Sequence, residues 1–476
     1  MGPTSSPKLL VAVLALTGIT VSLQQTVVIP LLPALPRLLD TSAADASWAV
    51  TATLLAGAVA APVVGRLADM WGKRRLLLIC LAALVAGSAV TALSSSLAPL
   101  LVGRALQGLA TGVVPLGISL MRDHLPKPRL ASATAMMSAS LGVGASLGLP
   151  LSALLVQYAN WRLLFWVSAG LAALAALLVS TLVAESRQRT GGRFDALGAA
   201  LLAAALVCLL LTISKGGLWG WTSLTVVLLT GSAVVLLVAF GTRELHARQP
   251  LIDLRANRAR QVALTNASSA VFAGSMLMSP LAFTQLLQMP VDTGYGLGQT
   301  IIIAGLLQAP GGLCMMAMSP LSARITRTAG PRRTLMVGTL VVAAGYGFAA
   351  LAHSHLWQVL LCTMVVGAGI GLGYGAVPSL IMAAVPVAQT AAANGLNNLC
   401  RALGTSTASA VTGLLLVAST TSVGTLTVPS ETAIVAILLL GAGAALIALL
   451  ISAFIPRHAV EQSPAVAATT PATTST

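Results

Sequence analysis

Arg104 stands inside LLVGRALQGLATGVVPLGISLM, an apolar run with no acidic residue of its own. A charged side chain at the centre of a bilayer costs roughly 2.5–3.5 kcal/mol on insertion scales, so chains keep one for a substrate path, an ion relay or an internal pairing. Arg401, in NGLNNLCRALGTS, is the other strong charge well inside an apolar run. A guanidinium keeps its proton and presents a fork of donors, so the chemistry on offer is recognition of carboxylate or phosphate. Two readings of Arg104 stand side by side. It is either an anion seat in a wet cavity or a clamp that hydrogen-bonds Gln24, Gln107 and backbone carbonyls. For Arg401 the structural alternative is a side chain that snorkels away from the apolar layer.

Groups able to carry a proton lie elsewhere. The 11 acidic residues (Asp40, Asp45, Asp69, Asp123, Glu185, Asp195, Glu244, Asp253, Asp292, Glu431 and Glu461) all fall in loops, tails or the ends of apolar runs. The 5 histidines do the same. An intramembrane proton relay needs such a group in the interior. A pocket held by guanidinium and amide groups is electropositive and favours anions or zwitterions over lipophilic cations.

The elements that position these residues follow from composition. The chain has 476 residues, 57% hydrophobic and 8% charged, with a mean hydropathy of +0.93; a soluble domain carries about 25% charged residues. Apolar stretches long enough to cross a bilayer recur along its length, without the alternation of barrel strands. About fourteen spans are expected, near 9–31, 48–68, 77–96, 99–121, 131–156, 162–183, 195–214, 222–240, 262–287, 299–322, 334–353, 357–384, 391–417 and 432–455. The net charge of +15 gathers in every second connection, as in Lys73-Arg74-Arg75, Arg122/Lys127/Arg129 and Arg324/Arg327/Arg332/Arg333. That is the positive-inside signature. It argues against nucleic acid as a partner and puts both termini in the cytoplasm. The opening apolar run is too long for a signal-peptide core and is read as the first span.

The two ends of the chain echo each other in the same direction. AGSAVTAL (Ala86–Leu93) matches AGYGFAAL (Ala344–Leu351), GLATGVVP (from Gly108) matches GIGLGYGAVP (ending at Pro378), and MWGKRR matches TAGPRR. Parallel repeats with a midplane site between them are one of the main transporter plans. The expected organisation is an N-terminal six-helix bundle (1–190), a two-helix insertion with linker (191–257), a C-terminal six-helix bundle (258–456) and a disordered cytoplasmic tail (457–476).

GRLADMWGKRR, between spans 2 and 3, combines Gly65, Asp69, Gly72, Lys73, Arg74 and Arg75. The glycines permit close approach and the charges can latch two helices on the inner side. This segment resembles the loop motif of the major facilitator superfamily, and RALQG (Arg104, Gln107, Gly108) resembles its span-4 motif. Fourteen spans, LQQTVVIPLLPALP, FDALG, QPLIDLRANR and GLNNLCRALGTS are similar to the drug:proton antiporter branch with two extra helices. The resemblance implies a multi-pass plasma-membrane exporter of small organic molecules that works by proton antiport and confers drug resistance; the residues leave open the alternative of a uniporter or exchanger for anionic metabolites or natural products with an Arg-lined cavity. A monomer without cofactor is expected, and short loops without a catalytic motif argue against an enzyme. Two departures stand out. Gln24 occupies a place where that branch usually has an acid. GVGASLGLPLSA keeps Gly144, Gly148 and Pro150 of the fifth-span motif and has Ser152 and Ala153 in place of its paired glycines. Gln24, Gln25, Arg104, Gln107, Asn397 and Arg401 are the expected cavity residues; Gly144, Gly148 and Pro150 are expected to set helix packing.

No G-x-x-x-x-G-K-[ST] occurs, which argues against direct ATP coupling. Cys80, Cys208, Cys314, Cys362 and Cys400 lie in apolar runs without metal-ligand spacing.

Overall fold

A computed structural model describes residues 6–456, apart from 29–30, 32–34, 42, 47, 159, 187–190, 192–193, 248–250, 252–259, 387–388 and 424–425. The expected tail and most of the QPLIDLRANR linker lie outside the described residues.

Among the described residues, fourteen helices are long and apolar enough to cross a membrane. Spans 1–6 are Pro7–Thr26, Trp48–Trp71, Lys73–Leu93, Leu97–His124, Pro128–Ser152 and Arg162–Leu182. Spans 7 and 8 are Ala196–Ile213 and Leu224–His246. Spans 9–14 are Arg260–Gln288, Ile302–Ala329, Pro331–Leu351, Leu356–Ala384, Thr390–Leu416 and Glu431–Ala453. Span 1 stops earlier than the apolar run does. Pro30 and Pro33 follow it, and a proline can neither donate to the helix nor let its predecessor stay helical. Between spans 13 and 14 lies a short antiparallel hairpin, Thr420–Val423 with Leu426–Pro429.

The packing repeats with an offset of eight spans. In the first half span 1 packs on span 5, span 2 on span 4, and span 3 on spans 4 and 6. In the second half span 9 packs on span 13, span 10 on span 12, and span 11 on spans 12 and 14. Between the halves, span 2 meets span 13 and span 5 meets span 10, again an equivalent pair. This is the two-fold plan that the sequence echoes imply, and the fold is the major facilitator arrangement with a two-helix insertion. Each half has its own apolar core, one around Leu77, Leu81 and Met121, the other around Phe272, Phe283 and Tyr346.

The insertion is not a bystander. Span 7 packs on span 2 and on span 13, one from each half. Leu202, Leu206 and Leu210 share an apolar cluster with Ala58 and Leu399. At the far end of its helix the Lys215 ammonium lies 4.7 Å from the centre of the Trp48 ring. Trp219 stacks at a tilt on the same ring, 6.5 Å between centroids. Span 8 packs on span 7 and otherwise turns apolar side chains such as Val227, Leu228, Val235 and Val238 outward, as a lipid-facing helix does.

Candidate functional site: the recess between the halves

The prolines of the two echoed segments meet across the centre of the molecule. Val114, Pro115 and Ile118 of span 4 face Tyr374, Val377 and Pro378 of span 12, and Asn394, Asn397, Asn398 and Arg401 of span 13 complete the lining. In this conformation the recess is nearly closed, with a cavity volume of about 10 Å³, room for about one water. Val114-Pro115 and Val377-Pro378 are the matching ends of GLATGVVP and GIGLGYGAVP, so the recess lies on the two-fold relation itself.

Pro115 shapes the span-4 side. It has no N–H for the carbonyl of Thr111 four residues back. The chain answers with a 3₁₀ turn at Leu109–Gly112, the tighter form used where the ordinary ladder is broken. Asn398 donates to the freed Thr111 carbonyl at 3.5 Å, from the opposite half. Asn394, Asn397, Asn398 and Arg401 share one helix face by their three- and four-residue steps. Asn397 Nδ2 donates to Asn266 Oδ1 at 2.9 Å, and Asn394 Nδ2 to the Thr390 carbonyl at 2.9 Å.

The two arginines have different surroundings. Arg104 is buried, and Nε donates to the Ala49 carbonyl at 2.9 Å. Its Nη1 donates to Gln107 Oε1 at 2.7 Å and to the Gln24 carbonyl at 3.4 Å. Gln107 passes the network to Ser88 Oγ at 3.0 Å, and Thr53 Oγ1 donates to the Arg104 carbonyl at 3.0 Å. Arg104 thus ties spans 1, 2 and 4, with Gln107 carrying the tie to span 3, all inside the first half. Arg401 makes no hydrogen bond or ion pair with any described residue. Its guanidinium carbon lies over the Tyr374 ring, 3.9 Å from the centroid, and its Nε is buried without an acceptor. Of the six expected cavity residues, Asn397 and Arg401 line this recess; Gln24, Gln25, Arg104 and Gln107 do not. Gln24 is 2% exposed, and neither atom of its side-chain amide has a partner.

Below the recess, toward the basic face, the halves are joined. Asp69 Oδ2 accepts from the Ala392 N–H at 2.9 Å, at the first turn of span 13. A carboxylate there also meets the positive end of the helix. Gly65 lets the backbones come this close, since a Cβ on it would meet the Ala391 carbonyl oxygen at 2.8 Å. Arg122 closes the same seam from span 4, donating to Thr390 Oγ1 at 2.5 Å, the Met382 carbonyl at 2.7 Å and the Val385 carbonyl at 3.1 Å.

The basic run has other partners than a simple pairing with Asp69. Lys73, fully buried, donates to Asp123 Oδ2 at 2.7 Å, and Ser186 Oγ donates to the same oxygen at 2.5 Å. The Arg74 and Arg75 N–H groups donate to Glu185 at 3.0 and 3.1 Å, so a carboxylate caps span 3. Gly72, at φ +115°, holds a turn that L side chains rarely adopt, and a Cβ on it would strike that carboxylate at 2.8 Å. Arg122, Asp123 and Glu185 are participants that sequence reasoning treated as loop charges. Their acidic or basic character was legible; their partners, tens to hundreds of residues away, were not.

Gly144 and Gly148 seat span 5 on span 1, against Ser22, Leu23 and Thr26. Pro150 faces the other half, where a Cβ on Gly305 of span 10 would meet its nitrogen at 3.3 Å. Span 5 therefore packs on helices of both halves, on span 1 in the first and on spans 10 and 12 in the second.

Two helix bundles packed against each other over a recess, with apolar side chains of the first half facing polar side chains of the second across it, define a membrane transporter. The chain belongs to the Major Facilitator Superfamily, which it matches over residues 14–409. It is 29% identical over 404 residues to the tetracenomycin C resistance and export protein of Streptomyces glaucescens, covering 83% of this chain and 73% of that one. It is 27% identical over 374 residues to the multidrug resistance protein Stp of Mycobacterium tuberculosis (strain CDC 1551 / Oshkosh), covering 78% and 68%. The crystal structure of the human organic anion transporter MFSD10 (TETRAN) superimposes with a TM-score of 0.65 over 94% of this chain and 99% of that one, at 19% identity; this shows the fold. The protein is a transporter and not an enzyme.

Proposed function

We propose that this chain is a secondary active exporter of small organic molecules, working by alternating access. The observation that carries the reading is a recess lined by both halves beside a seam that polar contacts, Asp69 to Ala392 and Arg122 to Thr390, Met382 and Val385, close toward the basic face. Rocking the halves would break those contacts and expose the recess to the basic side. Relatives named for tetracenomycin C export and multidrug resistance support an outward direction. The basic connections support a cytoplasmic seam, both termini in the cytoplasm, and residence in the plasma membrane. The chain acts as a monomer, since each half contributes its own side of the recess.

Proton antiport is the coupling that the family resemblance implies. It requires a group on the path that gains and loses a proton with each cycle. No carboxylate or imidazole lines the recess among the described residues, which favours a second reading, transport without exchange of a protein-borne proton. Efflux from proteoliposomes holding a pH-sensitive dye, with and without an imposed pH gradient, tests both. Antiport predicts lumenal pH change in step with efflux; the second reading predicts efflux with no pH change; absence of any solute flux removes the exporter reading.

A further inference from the structure

We propose that the substrate is an organic anion with a flat apolar body, seated with its acidic group on Arg401, and that the membrane potential drives it outward. The inference rests on the exporter reading and names the substrate class and the driving force for it.

The argument begins with the contrast between the arginines. Both are cations within apolar helices. Arg104 spends its donors on the Ala49 and Gln24 carbonyls and on Gln107. Arg401 spends none on the protein. Span 13 starts at Thr390, and Arg401 lies eleven residues further on, about 16 Å along the helix at ~1.5 Å per residue. An unneutralised cation at that depth is costly. Its compensation inside the protein is the face of Tyr374 alone. A cation–π contact occupies no N–H donor; Nε is buried, so the two Nη groups are the donors left for a ligand. A carboxylate, phenolate or sulfonate fits that fork. No acidic side chain among the lining residues competes for it, and none is there to receive a cationic drug.

The rest of the lining describes the rest of the ligand. Val114, Pro115, Ile118, Val377 and Pro378 form apolar walls on both sides, which suits an organic body and not a bare inorganic ion. No described residue donates to the amide oxygens of Asn394 and Asn398, so they remain acceptors for hydroxyl or N–H groups on the ligand.

The same chemistry sets the energetics. A monoanion leaving a cell with a negative interior moves with the field, and each 100 mV sustains a concentration ratio of about fiftyfold. One negative charge crosses per cycle and no proton is exchanged. The absence of a carboxylate or imidazole in the recess is then expected of the mechanism.

The test uses the full-length protein in proteoliposomes, with fluorescein as the anionic probe and ethidium as the cationic one. A potassium gradient with valinomycin sets the potential at equal pH on both sides. The expected result is fluorescein flux that follows the sign of the potential, no ethidium flux, and a tenfold or greater rise in half-saturation for fluorescein in Arg401→Gln. Arg401→Lys, which keeps the charge without the fork, should fall between Arg401→Gln and the parent, with elution profile and melting temperature showing that both variants are folded. Ethidium flux with proton counterflow and no fluorescein flux would leave the exporter reading intact and overturn this one. So would fluorescein flux indifferent to potential, or unchanged in a folded Arg401→Gln protein. Flux of neither probe would overturn both readings.

Discussion

The two halves turn their chains in the same way at the basic face and use the turns differently. Gly72 and Gly330, both at positive φ, precede spans 3 and 11. In each half an arginine just after that glycine binds the carbonyls ending the last span of the same half. Arg74 donates to the Ser180 carbonyl, and Arg332 to those of Ser452 and Ala453. Three residues before the glycine the likeness ends. The first half has Asp69, joined to span 13; the second has Arg327. The structural part of the motif was duplicated and the cross-half bond was kept on one side. A second divergence lies at mid-span, by the register of the echoed segments. Arg104 clamps spans 1, 2 and 4 with hydrogen bonds, whereas its counterpart Gly367 in span 12 packs backbone to backbone on Gly311 of span 10. One half is held there by donors, the other by the lack of a side chain.

The largest expected effect comes from removing the donors. Arg104→Ala leaves the Ala49 and Gln24 carbonyls and Gln107 Oε1 without this partner. An orphaned buried acceptor costs about 1–3 kcal/mol, less whatever is recovered by deleting a desolvated charge. The melting temperature in detergent should fall sharply, and an unchanged value would remove Arg104 from the scaffold. Next comes the opposite device. Gly367→Val places a side chain where even a Cβ meets the Gly311 Cα at 2.9 Å. Overpacking of this kind costs about 1–3 kcal/mol. Tolerance of valine there would mean that the second half does not depend on close contact.

The latch comes third. Asp69→Asn keeps an acceptor but replaces one carboxyl oxygen by an amide nitrogen, which cannot accept from the Ala392 N–H across the seam. Turnover should fall about 3–10-fold while half-saturation stays within a few fold, and spin-label distances across the basic face should broaden. Parent-like turnover would exclude the latch. The smallest effect lies on the insertion. Arg243 hydrogen-bonds Asp195 and holds its carboxyl below the ordinary range. A depressed pKa gives stability that is full above the unfolded value of about 3.9 and is lost as pH falls through the folded one. The pair is partly solvated. Asp195→Asn should therefore cost under about 1 kcal/mol near neutrality. Its difference from the parent should vanish in strong acid, and a difference growing toward low pH would reverse the assignment.

Much of this was legible in the residues. Fourteen spans follow from length and hydropathy, and the echoes place spans 2–4 against spans 10–12. The Val-Pro endings of the echoed segments even mark the recess, a signal that only the two-fold relation makes readable. What stayed hidden depends on packing across the seam. Asp69 and Ala392 are 323 residues apart, and Arg122 and Thr390 are 268 apart. Period and composition report which face of a helix is polar, not which helix turns toward it. The same limit applies to Arg104 and Arg401. Both read as buried cations, and only the presence or absence of neighbouring carbonyls separates them.

Span 7, lying across spans 2 and 13, has a mechanical consequence. Aromatic and cationic contacts join the far end of its helix to Trp48 in the first half, while apolar side chains, Leu202, Leu206 and Leu210 among them, share a cluster with Leu399 of span 13. Among the described residues no hydrogen bond joins span 7 to span 13, so a tilt of one bundle against the other would shift apolar surface there without breaking one. The extra helices act as a greased flange. Lying across spans 2 and 13, they would shield that flank of the joint from acyl chains.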